Sequence, residues 1–153
     1  MKHISYIDDI TAWEKEFSFF IPRKVRFSDT DMFGHLNNKK TFMYFEDACL
    51  ELFKTFGFTQ EWMNKDGENM VVVASMQCDY IHQVFYDEDL KVYIKVKRIG
   101  TSSVDLHFMV KNRSDEITSV GRSTMVQINK TTGKGFPWTE DQKAKLLQKE
   151  YVG

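Results

Sequence analysis

Ten consecutive residues carry most of the chemistry this chain could perform: Asp29-Thr30-Asp31-Met32-Phe33-Gly34-His35-Leu36-Asn37-Asn38. Two carboxylates, an imidazole and two carboxamides fall together, directly before a segment with helical periodicity. A helix N-terminus offers free backbone N–H groups and a partial positive charge, the environment that stabilises an oxyanion. A carboxylate set opposite it can attack a carbonyl or activate water. Gly34 permits the close backbone approach that such a turn needs. Spacing alone supports equally a polar turn that caps the helix, with Asp29 or Asp31 making local hydrogen bonds.

The elements that must hold this segment are legible on both sides of it. Upstream, Ile21, Val25 and Phe27 alternate with Lys24 and Arg26, which predicts a strand over Phe20 to Phe27; Pro22 restricts it to an edge or an early strand position. Downstream, Asn37 or Asn38 is a good N-cap for a helix from about Asn38 to Phe56. Phe42, Phe45, Cys49, Leu52, Phe53 and Phe56 form its apolar stripe, and Gly57 fits a left-handed cap. Tyr44, Ala48 and Leu50 widen the apolar surface, so this helix needs cover on most sides.

After a connection containing Trp62 and Gly67 the period becomes two. Leu90 to Val96 and Val104 to Val110 alternate apolar and polar residues around a turn at Gly100-Thr101-Ser102, and Met70 to Ile81 and Ile117 to Asn129 are further strands. A turn at Thr132 to Gly135 precedes a polar terminal helix over Thr139 to Glu150. Residues 1–20 read as either a short helix or a strand-like arm. Strand, long helix and four successive strands imply an α+β chain with an antiparallel sheet and the helix on one face. With no internal repeat or linker, one domain spans 1–153, its core about 20–137.

Composition bounds the function. The 153 residues carry a net charge of -1, which argues against nucleic acid as the main partner, and 42% hydrophobic with 28% charged residues excludes wholesale disorder. Neither a signal-peptide core nor a membrane span is evident, and Cys49 and Cys78 fit small buried hydrophobes better than a disulfide framework, so a cytoplasmic, reduced setting is expected. Asp29, Asp31 and His35 lack any familiar metal-ligand spacing, so no metal is expected. Lys95, Lys97, Arg98 and Arg122 suit either phosphate groups or the solvated face of a sheet. His82 and His107 read as ordinary strand histidines.

The run Val25-Arg26-Phe27-Ser28-Asp29-Thr30-Asp31-Met32-Phe33-Gly34-His35-Leu36-Asn37-Asn38, followed by Tyr44-Phe45-Glu46, resembles the 4-hydroxybenzoyl-CoA thioesterase-like branch of the hotdog-fold acyl-CoA thioesterases. Asp79-Tyr80, Asp89 and Arg98 to Ser103 extend the resemblance over about 20–137. It implies a hotdog fold, an antiparallel sheet wrapped around one long central helix. It further implies hydrolysis of an acyl-CoA or acyl-carrier-protein thioester to free acid and thiol. By resemblance Asp31 is the catalytic carboxylate, as nucleophile or general base, and the backbone N–H of Asn38 is the oxyanion donor. His35 and Asn37 match positions linked to catalysis in plant-type acyl-carrier-protein thioesterases, or serve to orient Asp31 and hold the turn. Gly34 and Glu46 stand beside the substrate, Glu46 as a hydrogen-bonding group rather than a second catalytic carboxylate. No cofactor is implied beyond the coenzyme A of the substrate itself. A homodimer or homotetramer with its site at the subunit interface is expected. The alternative is a non-catalytic hotdog module that binds acyl-CoA as a ligand sensor or assembly partner. Two positions depart from the pattern, Thr41 where relatives often have Tyr and Gln83 where many have Pro, and both bear on the acyl pocket.

Overall fold

The computed structural model describes residues 3–148. Its elements are α1 (Ile10–Glu14), β1 (Phe19–Lys24), α2 (Asn38–Phe56), α3 (Phe58–Met63), β2 (Asn69–Tyr80), β3 (Asp89–Ile99), β4 (Ser103–Lys111), β5 (Ile117–Asn129) and α4 (Glu140–Leu146). All strand pairs are antiparallel, in the order β1-β3-β4-β5-β2. The consecutive strands β3, β4 and β5 are neighbours joined by short turns, whereas β2 crosses over to pair with β5. Register shifts between Val73 and Ser75, Val96 and Arg98, and Val110 and Lys111 mark irregularities that curl a sheet.

The curled sheet is closed by α2, in the hotdog arrangement. Tyr44, Phe45, Ala48, Cys49, Leu52, Phe53 and Phe56 are all buried against Leu90, Val92 and Ile94 of β3 and Val104, Leu106, Phe108 and Val110 of β4. Phe45 stacks on Phe108 with centroids 4.4 Å apart. Gly121 of β5 makes room for it: a Cβ there would lie 2.4 Å from Phe45 Cε2 and 2.7 Å from the Gln77 carbonyl. Phe42 is only half-buried and Leu50 is exposed, so the helix is covered on one broad face rather than all round. Gly57, at φ 82°, ends α2 in the left-handed conformation and starts α3, a helix within the segment read as a mere connection.

The far face of the sheet is covered too, and this corrects the reading of Lys95. Residues 4–17 fold over it as a short helix with flanking coil, burying Ile4, Ile7 and Trp13 against Met109 and Val120. Lys95 is consequently buried. It pairs with Glu16, which Lys97 also reaches at 3.3 Å, and lies over the rings of Trp13 and Phe17. Neither a solvated face nor a phosphate contact describes Lys95, because the N-terminal segment occupies the space in front of it. Trp13 Nε1 donates to His107 Nδ1 at 2.9 Å, and burial, with Lys95, Lys97 and Arg122 nearby, lowers the His107 pKa to about 4.

At the other end, Trp138 Nε1 donates to the Ser103 carbonyl at 2.8 Å, pinning the chain before α4 to the sheet. The expected terminal helix ends at Leu146; its last two predicted residues, 149 and 150, lie outside the described residues. No disulfide joins Cys49 and Cys78. No helix among the described residues is long and apolar enough to cross a membrane.

Candidate active site

The chain leaves β1 at Lys24, three residues before the predicted end of that strand. Val25 stays tied to the sheet side, its N–H donating to the Glu88 carbonyl at 2.9 Å, but Phe27–Asp29 wind into one turn of 3-10 helix and Phe27 is 79% exposed rather than inward-facing. Asp29 causes this. Its carboxylate, 1% exposed, accepts from the Arg26 N–H (3.1 Å), the Arg26 guanidinium (3.2 and 3.1 Å) and the Tyr44 hydroxyl (2.9 Å). Burial alone would raise its pKa; the hydrogen bonds from Arg26 and Tyr44 outweigh it and hold Asp29 below the usual carboxylate range. The Asp29 carbonyl in turn accepts the Asn37 N–H at 2.8 Å. Asp29 therefore joins the turn to α2 and is turned away from chemistry.

Asp31 occupies the opposite situation. The Asp31 N–H donates to the His35 carbonyl (2.8 Å), and the Gly34 N–H to the Asp31 carbonyl (3.1 Å), closing a tight loop that Gly34 completes at φ 80°. One carboxylate oxygen, Oδ1, accepts from the N–H groups of Phe33 (2.8 Å) and His35 (3.2 Å). Among the described residues Oδ2 accepts no hydrogen bond. The loop is moored to the segment after β2, with the Leu36 N–H donating to the Val84 carbonyl at 2.7 Å and His35 bridging to Phe85. A carboxylate with one oxygen immobilised and the other open is oriented for attack or for proton abstraction.

Asp31 lines a cavity of about 360 Å³ together with His35, Asn38, Thr41, Tyr44, Tyr80, His82, Gln83, Thr118 and Ser119, and four apolar side chains. Asn38 is the first residue of α2, so its N–H has no intrahelical acceptor. Asn37 takes the next two N–H groups, Lys39 through its side chain (3.0 Å) and Lys40 through its carbonyl (2.8 Å). The Asn38 N–H alone of these three is left without a protein acceptor among the described residues.

The structure thus brings together Asp31, His35 and Asn38. Asn37 is the helix cap, its side chain engaged by Lys39, and Gly34 shapes the loop without lining the cavity. Glu46 is exposed and does not line this cavity either. Both positions that depart from the family pattern, Thr41 and Gln83, do line it. Tyr80 and His82 also reach the cavity, and sequence reasoning assigned neither a role; they lie some fifty residues downstream of the turn, and only the return of β2 beside α2 places them there. Among the described residues no three His, Cys, Asp or Glu side chains cluster as a metal site would require.

A curled antiparallel sheet around one helix, with a carboxylate-bearing turn at the helix N-terminus, defines a class that sequence comparison makes explicit: the chain belongs to the thioesterase-like superfamily, whose model matches residues 25–146. It is 43% identical over 148 residues to the uncharacterized protein YsmA of Bacillus subtilis, covering 96% of this chain and 98% of that one. It is 27% identical over 86 residues to the acyl-CoA thioesterase YbgC of Haemophilus influenzae, covering 56% and 63% of the two chains. Among solved structures, a "predicted thioesterase" from Bacillus stearothermophilus superimposes with a TM-score of 0.75 at 32% identity, covering 84% of this chain and 92% of that one. The DHNA-CoA thioesterase of Staphylococcus aureus shares the fold at a TM-score of 0.74 and 21% identity, over 82% and 86% of the chains.

Proposed function

We propose that this protein hydrolyses an acyl-CoA or acyl-carrier-protein thioester, with Asp31 as nucleophile or general base. The observation that carries the reading is the pairing of an open carboxylate oxygen on Asp31 with an unclaimed N–H on Asn38 at the edge of one cavity. As the thioester carbonyl becomes tetrahedral its oxygen gains negative charge, and the Asn38 N–H, at the positive end of α2, supplies a donor aimed where that charge develops. Asp31 either adds to the carbonyl carbon, giving an anhydride that water then opens, or takes a proton from the attacking water. In both routes the C–S bond breaks, a free acid and a thiol leave, and Asp31 returns to its carboxylate.

The relative named as an acyl-CoA thioesterase supports coenzyme A as the thiol. Self-association with the site near the interface belongs to the same proposal. Phe27, Met32, Phe33, Phe85 and Tyr86, all exposed, collar the cavity turn, and their rings meet at Phe27–Tyr86 (6.1 Å) and through His35 at Phe33 (6.5 Å) and Phe85 (5.0 Å). Contiguous apolar surface of this kind marks an interaction site. A panel of short-chain, long-chain and aromatic acyl-CoAs, assayed by trapping the released thiol, tests the activity. Release from at least one member at enzyme-dependent rates is expected, and stoichiometric binding without release would point instead to a non-catalytic module.

A further inference from the structure

We infer that Tyr80 is a positioning residue that fixes the oxyanion donor of the reaction proposed above, on which this inference rests. The Tyr80 hydroxyl donates to the Asn38 carbonyl at 2.7 Å, a contact spanning 42 residues of sequence between the end of β2 and the first turn of α2. A helical carbonyl commits one lone pair to the helix ladder, and Tyr80 engages the other. The segment that carries the Asn38 N–H is consequently held from both ends. On one side the Asn37 N–H is tied to the Asp29 carbonyl, itself anchored through Arg26 and Tyr44; on the other the Asn38 carbonyl is tied to Tyr80. The N–H between these two anchors is the one left without a protein acceptor among the described residues, and Asn38 and Tyr80 both line the cavity.

The hydroxyl is a durable donor. Burial, with the Cys78 thiol beside it, pushes the Tyr80 pKa up from its ordinary value, so the proton stays on throughout the working range of such an enzyme. None of the other hydroxyls on the cavity, those of Thr41, Tyr44, Thr118 and Ser119, engages the Asn38 carbonyl; those of Tyr44 and Thr118 donate to Asp29 and to the Val110 carbonyl. An oxyanion donor works by being aimed before the charge develops, so freeing one of its two anchors costs rate rather than ground-state affinity.

Tyr80→Phe removes the hydroxyl and nothing else, at a residue 40% exposed where the ring volume is retained. Steady-state hydrolysis of the best thioester is expected to show kcat reduced about tenfold, short of the 10²–10³ lost when a whole oxyanion donor is removed. KM should stay within about twofold, since the interaction acts in the transition state. The melting temperature should stay within a few degrees of the parent. Independently of activity, the amide resonances of Asn38 and Lys39 should shift and their hydrogen exchange should accelerate in the folded variant. A folded Tyr80→Phe enzyme with parental kcat and unchanged Asn38 exchange overturns the inference while leaving the thioesterase reading intact. A change confined to KM or to melting temperature also overturns it, because a merely structural or substrate-contacting tyrosine behaves so. Absence of thiol release by the parent across the whole panel removes the thioesterase reading itself, and this inference with it.

Discussion

Two aspartates two residues apart divide the work of the turn, and their hydrogen bonds state the division. Asp29 is surrounded by donors and buried; Asp31, which lines the cavity, has one oxygen immobilised by two backbone N–H groups while, among the described residues, the other accepts none. Asp31→Asn keeps the shape and the Oδ1 acceptor but removes the charge. It should lower kcat about 10²–10⁴-fold, the usual worth of a general base, or more if Asp31 is the nucleophile. Its thermal melt should match the parent. Asp29→Asn should do the reverse, costing about 1–3 kcal/mol of stability in denaturant titration because Arg26 loses a charged acceptor and one carboxamide N–H₂ faces donors. A folded Asp31→Asn enzyme retaining kcat within a few-fold would move attention to His35.

The elements respond to different changes. Phe45 lies flat on Phe108 and edges against the backbone of Gly121, so Gly121→Ala forces ring and strand apart. Overpacking of this kind typically costs about 1–3 kcal/mol, read from the shift of a urea midpoint at constant slope. The N-terminal segment makes the far face of the sheet sensitive to acid. His107 titrates at about 4 in the fold, against an ordinary value near 6.5 in the unfolded chain. Between those values the unfolded chain binds the extra proton, so stability rises with pH there. The contribution is fully present above about pH 6.5, is lost as pH falls toward 4, and amounts to about 3 kcal/mol. His107→Asn keeps an acceptor for Trp13 Nε1 but cannot titrate. The parent should therefore lose stability between pH 6.5 and 4 relative to this variant, and equal pH slopes for the two would contradict the assignment.

For the molecule as a whole, β1 and β2 are the outermost strands of the sheet, and β2 is twelve residues long. Among the described residues no further strand lies beyond either of them, while the far face is occupied by residues 4–17. A long open edge beside an apolar collar favours pairing with a second copy. Sedimentation at micromolar concentration should show at least a dimer, and a fully active monomer would contradict the expectation.

How much of this was legible in the amino-acid order depends on the range of the interaction responsible. The span of α2 follows from its apolar stripe and its two caps, all local, and the observed Asn38–Phe56 matches the reading. The β3–β4 hairpin follows from period-two alternation around Gly100. The loop at Asp31 was visible as a motif because its hydrogen bonds close within five residues. Other features depended on which distant segment comes to lie alongside. Strand alternation carried the reading through to Phe27, but Asp29 drew Arg26 into a 3-10 turn, a competition that periodicity does not express. Lys95 read as either solvated or phosphate-binding because its own strand alternates; only Trp13, Phe17 and Glu16, some eighty residues away, enclose it. Tyr80 and His82 join the cavity for the same reason, since β2 must pair with β5 before its end can meet the start of α2. Sequence by itself determined most of the elements and the family, because periodicity, capping and the turn motif are written in neighbouring residues. Tertiary structure alone decided what each element faces, because burial and long-range hydrogen bonds depend on partners that chain order does not bring together.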